Sequence, residues 1–313
     1  MPVPGQSIHQ DAIMTEFALK YSQSGIFIAD QAMPVKPVAK ESDKYFSHYL
    51  KDIISIPQNT QRANGAEAGE RHWDVTTATY QAEEYALRDI VTDRDRANAD
   101  APLEPDQDAV TGVQELLLLD REARAAALMF DTSTTFTSYT SALTNGWDDY
   151  SNSTPFTNVE TARTSVIKNA LKMPNVMIMG YEVFVSIIHH PDILARIAYT
   201  GGPTNPALIN ENVLAQCFNV EKVLVGKAVY NSANVNQTTT SAFVWGKYVG
   251  LYYINPNPTR KTVTAGVTFR ARNWMVKKWR EDKRNGDMVQ VSMIDDEVVP
   301  CAGAGYVFST AVS

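Results

Sequence analysis

The most regular hydrophobic pattern in the chain lies between Ala109 and Phe130, where apolar residues recur every three or four positions. This spacing predicts a long amphipathic helix, because residues three and four apart share one face. Asp106 or Asp108 is placed to cap its N-terminus. The predicted buried stripe comprises Val110, Val113, Leu117, Ala123 or Arg124, Ala127 and Phe130, widened by Leu116 and Leu119. So wide a stripe needs neighbouring elements to cover it.

Two segments ahead of this helix carry strand patterns, and a long polar stretch separates them. Residues 44–56 are rich in aromatic and β-branched side chains, as strands are. Residues 73–81 alternate with the period of a strand. The face predicted by that alternation comprises Trp73, Val75, Thr77 and Thr79. Because residues 57–72 contain almost no large apolar side chain, we predict an extended hairpin whose tip projects outward.

The first 40 residues have the pattern of an extended arm. A short amphipathic piece at 11–21 lies between proline-containing flanks, whose prolines are Pro2, Pro4, Pro34 and Pro37. Proline fixes φ and lacks an N–H donor, so these flanks gain little by folding on themselves. We expect the arm to be ordered by lying against another surface.

The pattern changes again after the helix. Residues 131–158 are rich in Ser, Thr and Asn, which predicts a linker between lobes or an extended strand and loop crossing a surface. An alternation of helices and strands follows, in the order helix 159–172, buried strand 175–180, helix 181–197 interrupted near Pro191, helix 210–218, and strands 222–231 and 241–254. From Thr262 onward the pattern is β, and Asn285-Gly286 predicts a hairpin turn. The fold class is therefore α+β.

Composition excludes several protein classes. With 44% hydrophobic and 20% charged residues, the 313-residue chain has the composition of a globular protein of more than one lobe. No apolar run is long enough to span a membrane, and the N-terminus lacks the pattern of a secretory signal. Cys217 and Cys301 are too few and too far apart for a disulfide scaffold or a zinc site, which suits a reducing cytosol.

Charge is distributed unevenly along the chain. Residues 1–150 contain 12 Lys+Arg and 24 Asp+Glu, a net charge of −12, whereas the remainder contains 16 and 11, a net charge of +5. Such segregation allows one copy to pair with another through complementary surfaces. Two solvated faces would give the same counts, so charge alone leaves both interpretations open. The acidic balance and the lack of a recognition motif argue against specific nucleic-acid binding.

Candidate chemistry centres on the adjacent histidines His189 and His190, with Asp192 close behind. Histidines that share a metal on a helix are usually four residues apart, whereas adjacent ones diverge by about 100°. No other histidine lies within 100 residues, so the ligand inventory is poor. The alternative is structural, since Pro191 disfavours a helical conformation at the residue before it. We favour the structural interpretation.

No other motif predicts a reaction. Ser186 lies in an apolar helical pattern without a nucleophile elbow, and Cys217 is expected to be a core residue. The glycine stretches match neither a phosphate-binding loop nor a dinucleotide fingerprint. Adjacent acids occur at 148–149, 281–282 and 295–297, in contexts that predict solvated turns rather than paired catalytic carboxylates. The sequence therefore predicts no enzyme and no cofactor.

Six segments, in this order, resemble motifs of the major capsid proteins of tailed bacteriophages, which share the Hong Kong 97-like shell fold. They are DREARAAAL (120–128), GWDDYSNSTPF (146–156), NVMIMGYEVFVSIIHHPDILARI (175–197), NENVLAQCFNVEKVLVGKAVYN (210–231), AFVWGKYVGLYY (242–253) and TAGVTFRARN (264–273). Together the six segments lie between residues 120 and 273. The resemblance implies an α+β capsid fold with an N-terminal arm, an extended loop, a peripheral domain and an axial domain.

The resemblance also implies a division of the chain. Residues 1–43 would form the arm and 44–100 the extended β-hairpin loop. Residues 101–156 would contain the long spine helix of the peripheral domain. Residues 157–258 would form the axial α/β domain, and 259–313 would return as strands to the peripheral domain. In this division His189 and His190 belong to a helix end of the axial domain.

The implied function is assembly. Copies of the chain would form hexamers and pentamers that close an icosahedral head around double-stranded phage DNA, made in the host cytoplasm and retained in the virion. Portal, scaffolding and decoration proteins would be further partners, and no membrane is involved. From charge alone we expect contacts between subunits to join two sets of residues, the acidic Glu67, Glu70, Glu83 and Glu84 and the basic Arg270, Arg272, Lys277, Lys278 and Arg280.

The sequence leaves two alternative functions open. An encapsulin-like compartment would have the same fold and a packaged enzyme in place of DNA. A metal-dependent enzyme would use His189, His190 and Asp192.

Overall fold

The computed structural model describes residues 27–47, 76–99, 104–201, 209–233 and 237–313, with single positions between 54 and 70. The predicted amphipathic piece at 11–21, most of the hairpin tip, and Trp73 and Val75 lie outside the described residues.

The described elements comprise seven α-helices and thirteen strands. The helices are α1 (Ala29–Ala32), α2 (Asp93–Asn98), α3 (Pro105–Met129), α4 (Pro155–Ala170), α5 (Tyr181–Ile188), α6 (Pro191–Gly201) and α7 (Glu211–Cys217). The strands are β1 (Val35–Pro37), β2 (Ser42–Ser47), β3 (Thr76–Gln81), β4 (Glu83–Thr92), β5 (Thr140–Ala142), β6 (Val176–Gly180), β7 (Lys222–Gly226), β8 (Val229–Asn231), β9 (Ser241–Phe243), β10 (Val249–Tyr252), β11 (Val267–Glu281), β12 (Gly286–Val298) and β13 (Gly305–Ser309).

A four-stranded sheet in the order β1-β11-β12-β4 supports the long helix α3. Strand β1 runs parallel to β11, and the other pairs are antiparallel. Valines of α3 pack on Trp274, Val276 and Val291 of this sheet. The predicted Asn-Gly hairpin is confirmed: Asn285 has a φ of 46° between β11 and β12, a left-handed conformation that asparagine tolerates better than most residues.

Strand β4 was not predicted from the sequence. Its ten residues carry four charges and form the edge of the sheet, and only Val91 is buried. An edge strand that buries so little of its length has no clear apolar alternation to detect. The short helix α2 follows β4, and Thr92 and Asp95 form a capping box at its start.

Helix α3 is confirmed, but its start and its buried face differ from the prediction. Its N-cap is Glu104, whose side chain makes no capping hydrogen bond, while Asp106 and Asp108 lie in the first turn. Towards the C-terminus the buried face turns away from the predicted alanines and passes through charged residues and small apolar ones. The predicted stripe residues Ala123 and Ala127 are exposed, as is Leu116; the residues buried instead are Leu118, Arg121, Glu122, Ala125, Ala126 and Met129. Ion pairs and hydrogen bonds, described below, compensate the two buried charges.

A five-stranded sheet in the order β5-β13-β10-β6-β7 forms the second lobe. One face, which includes Met177 and Leu251, packs against α4 to α7, and the other, which includes Ile178 and Tyr252, packs towards the end of α3. The Tyr252 hydroxyl donates a hydrogen bond of 2.6 Å to the Met129 carbonyl, which joins the two lobes. The predicted order of helices and strands between residues 155 and 252 is confirmed.

Sheet membership differs from the proposed division of the chain at three places. Strand β4 belongs to the four-stranded sheet rather than to the loop, while β5 and β13 belong to the five-stranded sheet rather than to the peripheral part. Residues 131–158 are not a linker, because Phe136 and Trp147 are fully buried in the cores. Local pattern could not assign these segments because their strand partners lie far away in sequence.

The predicted hairpin is confirmed where it is described: β2 and β3 pair antiparallel from Ser42 opposite Gln81 to Ser47 opposite Thr76. Its buried face is the one opposite to the predicted face. Thr77 is exposed, and Tyr80 is buried with its ring 4.4 Å from that of Phe269. The hairpin is thereby held against the four-stranded sheet. None of the described helices is both long enough and apolar enough to cross a membrane.

Candidate assembly surfaces

The paired histidines lie at the break between α5 and α6, and only His190 is buried. Its Nδ1 accepts a hydrogen bond of 3.2 Å from the Asp192 backbone N–H. The ring proton therefore lies on Nε2, which is 2.9 Å from the Ser153 hydroxyl. Both ring nitrogens are committed to partners within the fold, and His189 is exposed. The described residues contain no group of three His, Cys, Asp or Glu side chains that could hold a metal.

Replacing His190 with alanine should lower the free energy of unfolding by about 1–3 kcal/mol, because a buried hydroxyl and a backbone N–H lose their partner. His189→Ala should change it by less than about 0.5 kcal/mol, as expected for an exposed residue. Chemical unfolding of both variants, with and without added zinc, measures the difference. Equal effects, or a stabilisation by zinc that both variants lose, would contradict the structural role of His190.

The other candidate groups also have structural roles. The Ser186 hydroxyl donates to the Glu182 carbonyl of its own helix. Cys217 packs at the border of the second lobe's core, and burial raises the pKa of its thiol. The prediction of solvated acids at 295–297 is wrong, because Asp295 lies in β12 and is completely buried. It was misjudged because its compensating cations come from α3 and β11, distant in sequence.

A buried ion network joins α3 to the four-stranded sheet. Arg121 is almost fully buried, pairs with Asp30, and lies 3.7 Å from Asp295 and 3.6 Å from Glu297. Arg124 and Arg270 reach Asp295 at 3.3 and 3.4 Å. Burial raises the pKa of Asp295, and the neighbouring Glu297 adds to that rise, while the arginines oppose it. The network fixes α3 on β12.

Glu122, the next residue of α3, joins three parts of the chain. Its carboxylate accepts hydrogen bonds of 2.9 Å from the backbone N–H groups of Ile28 and Ala29, at the start of α1. It also accepts a bond of 2.6 Å from the Trp245 indole, which belongs to the second lobe. Burial raises the pKa of Glu122, whereas these three donors oppose the rise. The sequence contained a signal for the burial of both charges. Arg121 and Glu122 lie one helical turn after Leu117 and Leu118, and therefore on the same buried face of α3.

Four of the five predicted basic contact residues are engaged within the subunit. Arg272 pairs with Glu84, and Arg270 with Asp295 as described above. Lys278 lies 3.3 Å from Asp106. Arg280 pairs with Asp93, and this arginine lowers the pKa of that carboxyl group. The structure thus brings Arg272 and Glu84 together, but inside one chain.

The remaining predicted contact residues are Glu67, Glu70, Glu83 and Lys277. The three glutamates are exposed, and Lys277 is half-buried on the face of the four-stranded sheet away from α3. Neither Glu83 nor Lys277 forms an ion pair with any residue that the structure describes. Their role in contacts between subunits stays a prediction.

No family model matches the chain. Two curated relatives match it from end to end. The major capsid protein of Pseudomonas phage JBD67 is 26% identical over 307 residues, covering 97% of both chains. The major capsid protein of Burkholderia phage BcepMu is 24% identical over 311 residues, covering 96% of this chain and 95% of the relative.

Solved structures share the fold. A phage-related protein from Bordetella bronchiseptica RB50 superimposes with a TM-score of 0.74 at 21% identity, covering 98% of both chains. A chain of the capsid of cyanophage P-SCSP1u gives 0.59 at 12% identity, covering 90% of this chain and 87% of that one. A chain of the SrpI encapsulin complex from Synechococcus elongatus gives 0.52 at 11% identity, covering 98% and 93%. The chain therefore has the Hong Kong 97-like fold of phage capsid proteins and is similar from end to end to two phage major capsid proteins.

Proposed function

We propose that the chain is the shell subunit of a tailed-phage head, and that copies of it form hexamers and pentamers which close around double-stranded DNA. The observation that carries the proposal is the similarity to two major capsid proteins over 97% and 96% of this chain. Among the candidates for chemistry, His190, Ser186 and Asp295 have partners within the fold, in agreement with a role in assembly.

The extended parts of the subunit support this role. The β2–β3 hairpin leaves the four-stranded sheet and carries the exposed Glu67 and Glu70 in its connecting segment. We propose that this segment lies across a neighbouring subunit, with Glu83 and Lys277 as further contact residues. An extended ribbon buries more area against a neighbour than a compact body does, so many weak contacts add up.

The partners follow from the same proposal. Packaged DNA would contact the inner surface through its phosphates, without sequence specificity and with a strong dependence on salt. Portal, scaffolding and decoration proteins would complete the head, which would assemble in the bacterial cytoplasm. An encapsulin-like compartment is the second candidate, favoured by the fold shared with the SrpI encapsulin. A packaged enzyme instead of DNA would identify it.

Negative-stain electron microscopy and sedimentation of the protein expressed alone test the proposal. We expect closed shells, tubes or six-membered rings sedimenting far faster than a 34.7 kDa monomer. If only monomer is found, co-expression with the neighbouring phage genes supplies a scaffold. A monomer under both conditions would contradict the proposal.

A further inference from the structure

The C-terminal end of α4 exposes an apolar patch. Ile167 and Leu171 lie one turn apart, and their side chains are 38% and 47% exposed, followed by Met173 at 55%. Lys168 and Lys172 flank these residues, are exposed, and form no ion pair with any residue that the structure describes. We call these five residues the α4-end patch. It combines apolar side chains with free positive charge.

Leu171 is also held in an unfavourable backbone conformation. It is the C-cap of α4, with φ of 54° and ψ of 29°, and its N–H donates to the Ile167 carbonyl at 3.0 Å. Glycine is the usual residue in this left-handed position, because a Cβ is crowded there. Leu171 is strained and packs little within its own subunit, so its side chain does not stabilise the isolated fold. Its side chain is therefore expected to act outside the subunit.

A second apolar surface lies on the flank of α3 beside β4. The Arg124 guanidinium stacks on the ring of Tyr85 at 3.5 Å, which places β4 along this side of the helix. Asp120 lies one turn before Arg124 and pairs with it, and Leu116 lies one turn before Asp120, farther round the same flank of the helix. Leu87 follows Tyr85 by two residues, hence on the same side of β4. Leu116 is 58% exposed and Leu87 is 42% exposed.

Acidic residues neighbour these two leucines along α3 and β4. Glu83 and Asp89 lie on the same side of β4 as Tyr85 and Leu87, because every second residue of a strand faces the same way. Both acidic residues are exposed. Asp120 is half-exposed beside Arg124. We call Leu87, Leu116, Glu83, Asp89 and Asp120 the spine flank. It presents apolar side chains with an acidic rim, and β4 leaves its outer edge without a strand partner among the described residues.

We infer that the α4-end patch of one subunit docks on the spine flank of the next. This inference rests on the proposed function, since a second copy of the chain is the partner. The two surfaces match in chemistry: the apolar side chains of the patch meet Leu87 and Leu116, and Lys168 and Lys172 meet Glu83 and Asp89. They belong to different lobes, so the contact joins two different surfaces and repeats from copy to copy, as a ring requires. In this contact Lys168 and Lys172 take the place of four predicted basic residues whose charges are paired within their own subunit. Those four are Arg270, Arg272, Lys278 and Arg280.

Charge reversal tests the pairing. Lys168→Glu with Lys172→Glu should lower the shell yield at least tenfold, and so should Glu83→Lys with Asp89→Lys. Combining all four substitutions should recover at least half of the yield, because the attraction is restored with opposite sign. Lys283→Glu with Arg284→Glu is the matched control, since both residues are exposed and unpaired among the described residues. Unchanged yields in the first two variants, or no recovery in the combined one, would overturn the docking.

Cross-linking tests proximity. In a Cys217→Ser background, Leu171→Cys and Leu116→Cys together, treated with a short bismaleimide, should give a ladder of covalent multimers on a denaturing gel. Either cysteine substitution alone should give no ladder, because the contact joins different surfaces. Shells without a ladder would overturn the docking while leaving the proposed function intact. If the unmodified protein forms neither shells nor rings, the proposed function fails, and the docking with it.

The strain at Leu171 gives a further readout. Leu171→Gly relieves the left-handed conformation and should raise the melting temperature of the unassembled subunit by about 2–4 °C. The same variant should lower shell yield, because the apolar contact is lost. If Leu171 had only a structural role within the subunit, the melting temperature and the shell yield would not change in opposite directions. A lower melting temperature, or an unchanged yield, would contradict the role given to Leu171.

Discussion

Glu122→Ala should destabilise the unassembled subunit by about 3–5 kcal/mol, because three buried donors lose one acceptor. An unsatisfied buried donor costs about 1–3 kcal/mol, and water entering the cavity recovers part of the total. The donors are the N–H groups of Ile28 and Ala29 and the indole of Trp245. Because these belong to α1 and to the second lobe, the variant should also loosen both from α3.

Urea unfolding followed by circular dichroism measures the effect, and hydrogen exchange at residues 28 and 29 locates it. Gln107→Ala is the matched control on the same helix, since Gln107 is exposed and should change stability by less than about 0.5 kcal/mol. A loss below about 1 kcal/mol for Glu122→Ala would show that the junction does not depend on this carboxylate. We also expect fewer shells, because the chain before Ile28 would no longer start from a fixed position.

Arg121→Ala should cost a similar amount, about 3–5 kcal/mol at neutral pH. Removing one partner from a buried ion network leaves opposite charges without full compensation. Here Asp295 and Glu297 would retain only Arg124 and Arg270. Arg88→Ala is the control, since Arg88 is exposed and forms no ion pair with any described residue.

The loss in Arg121→Ala should depend on pH. Burial already raises the pKa of Asp295, and removal of a cation raises it further. A carboxyl group whose pKa is higher in the folded state binds protons more readily there. Its contribution to stability is present below its unfolded pKa, about 4, and is lost as the pH rises through the folded value. The deficit should therefore be greatest at neutral pH and shrink towards pH 4. A deficit that stays constant or grows in acid would contradict this account.

Much of the fold was predictable because its signals are local. Helix α3 repeats apolar residues at helical spacing, β6 is a continuous apolar run, and Asn285-Gly286 specifies a turn through its own backbone preference. Strand β4 was missed because an edge strand with charged residues lacks alternation. Strands β5 and β13 were assigned to the wrong part, since each pairs with strands far away in sequence.

The candidate surfaces were less predictable, because charge in a sequence does not reveal its partner. The choice of Arg270, Arg272, Lys278 and Arg280 as contacts with a neighbour followed from their clustering, yet each has an acidic partner in its own subunit. Conversely, Leu116 was predicted to widen the buried stripe of α3, yet its side chain is exposed. Exposure is a property of the folded surface and has no local signature.

The amino-acid pattern alone determines the long helix α3, the order of helices and strands between residues 155 and 252, the break at His190, and the resemblance to phage capsid proteins, because these depend on near neighbours in the chain. Only the tertiary structure decides that Arg121, Glu122 and Asp295 form buried junctions and that four of the five basic residues of β11 pair with acids of the same subunit. It also decides that Lys168, Lys172 and Leu171 are exposed, and that the two lysines form no ion pair with any described residue. Ion pairing and burial join residues more than 100 positions apart, so their energies are set by the fold rather than by sequence proximity.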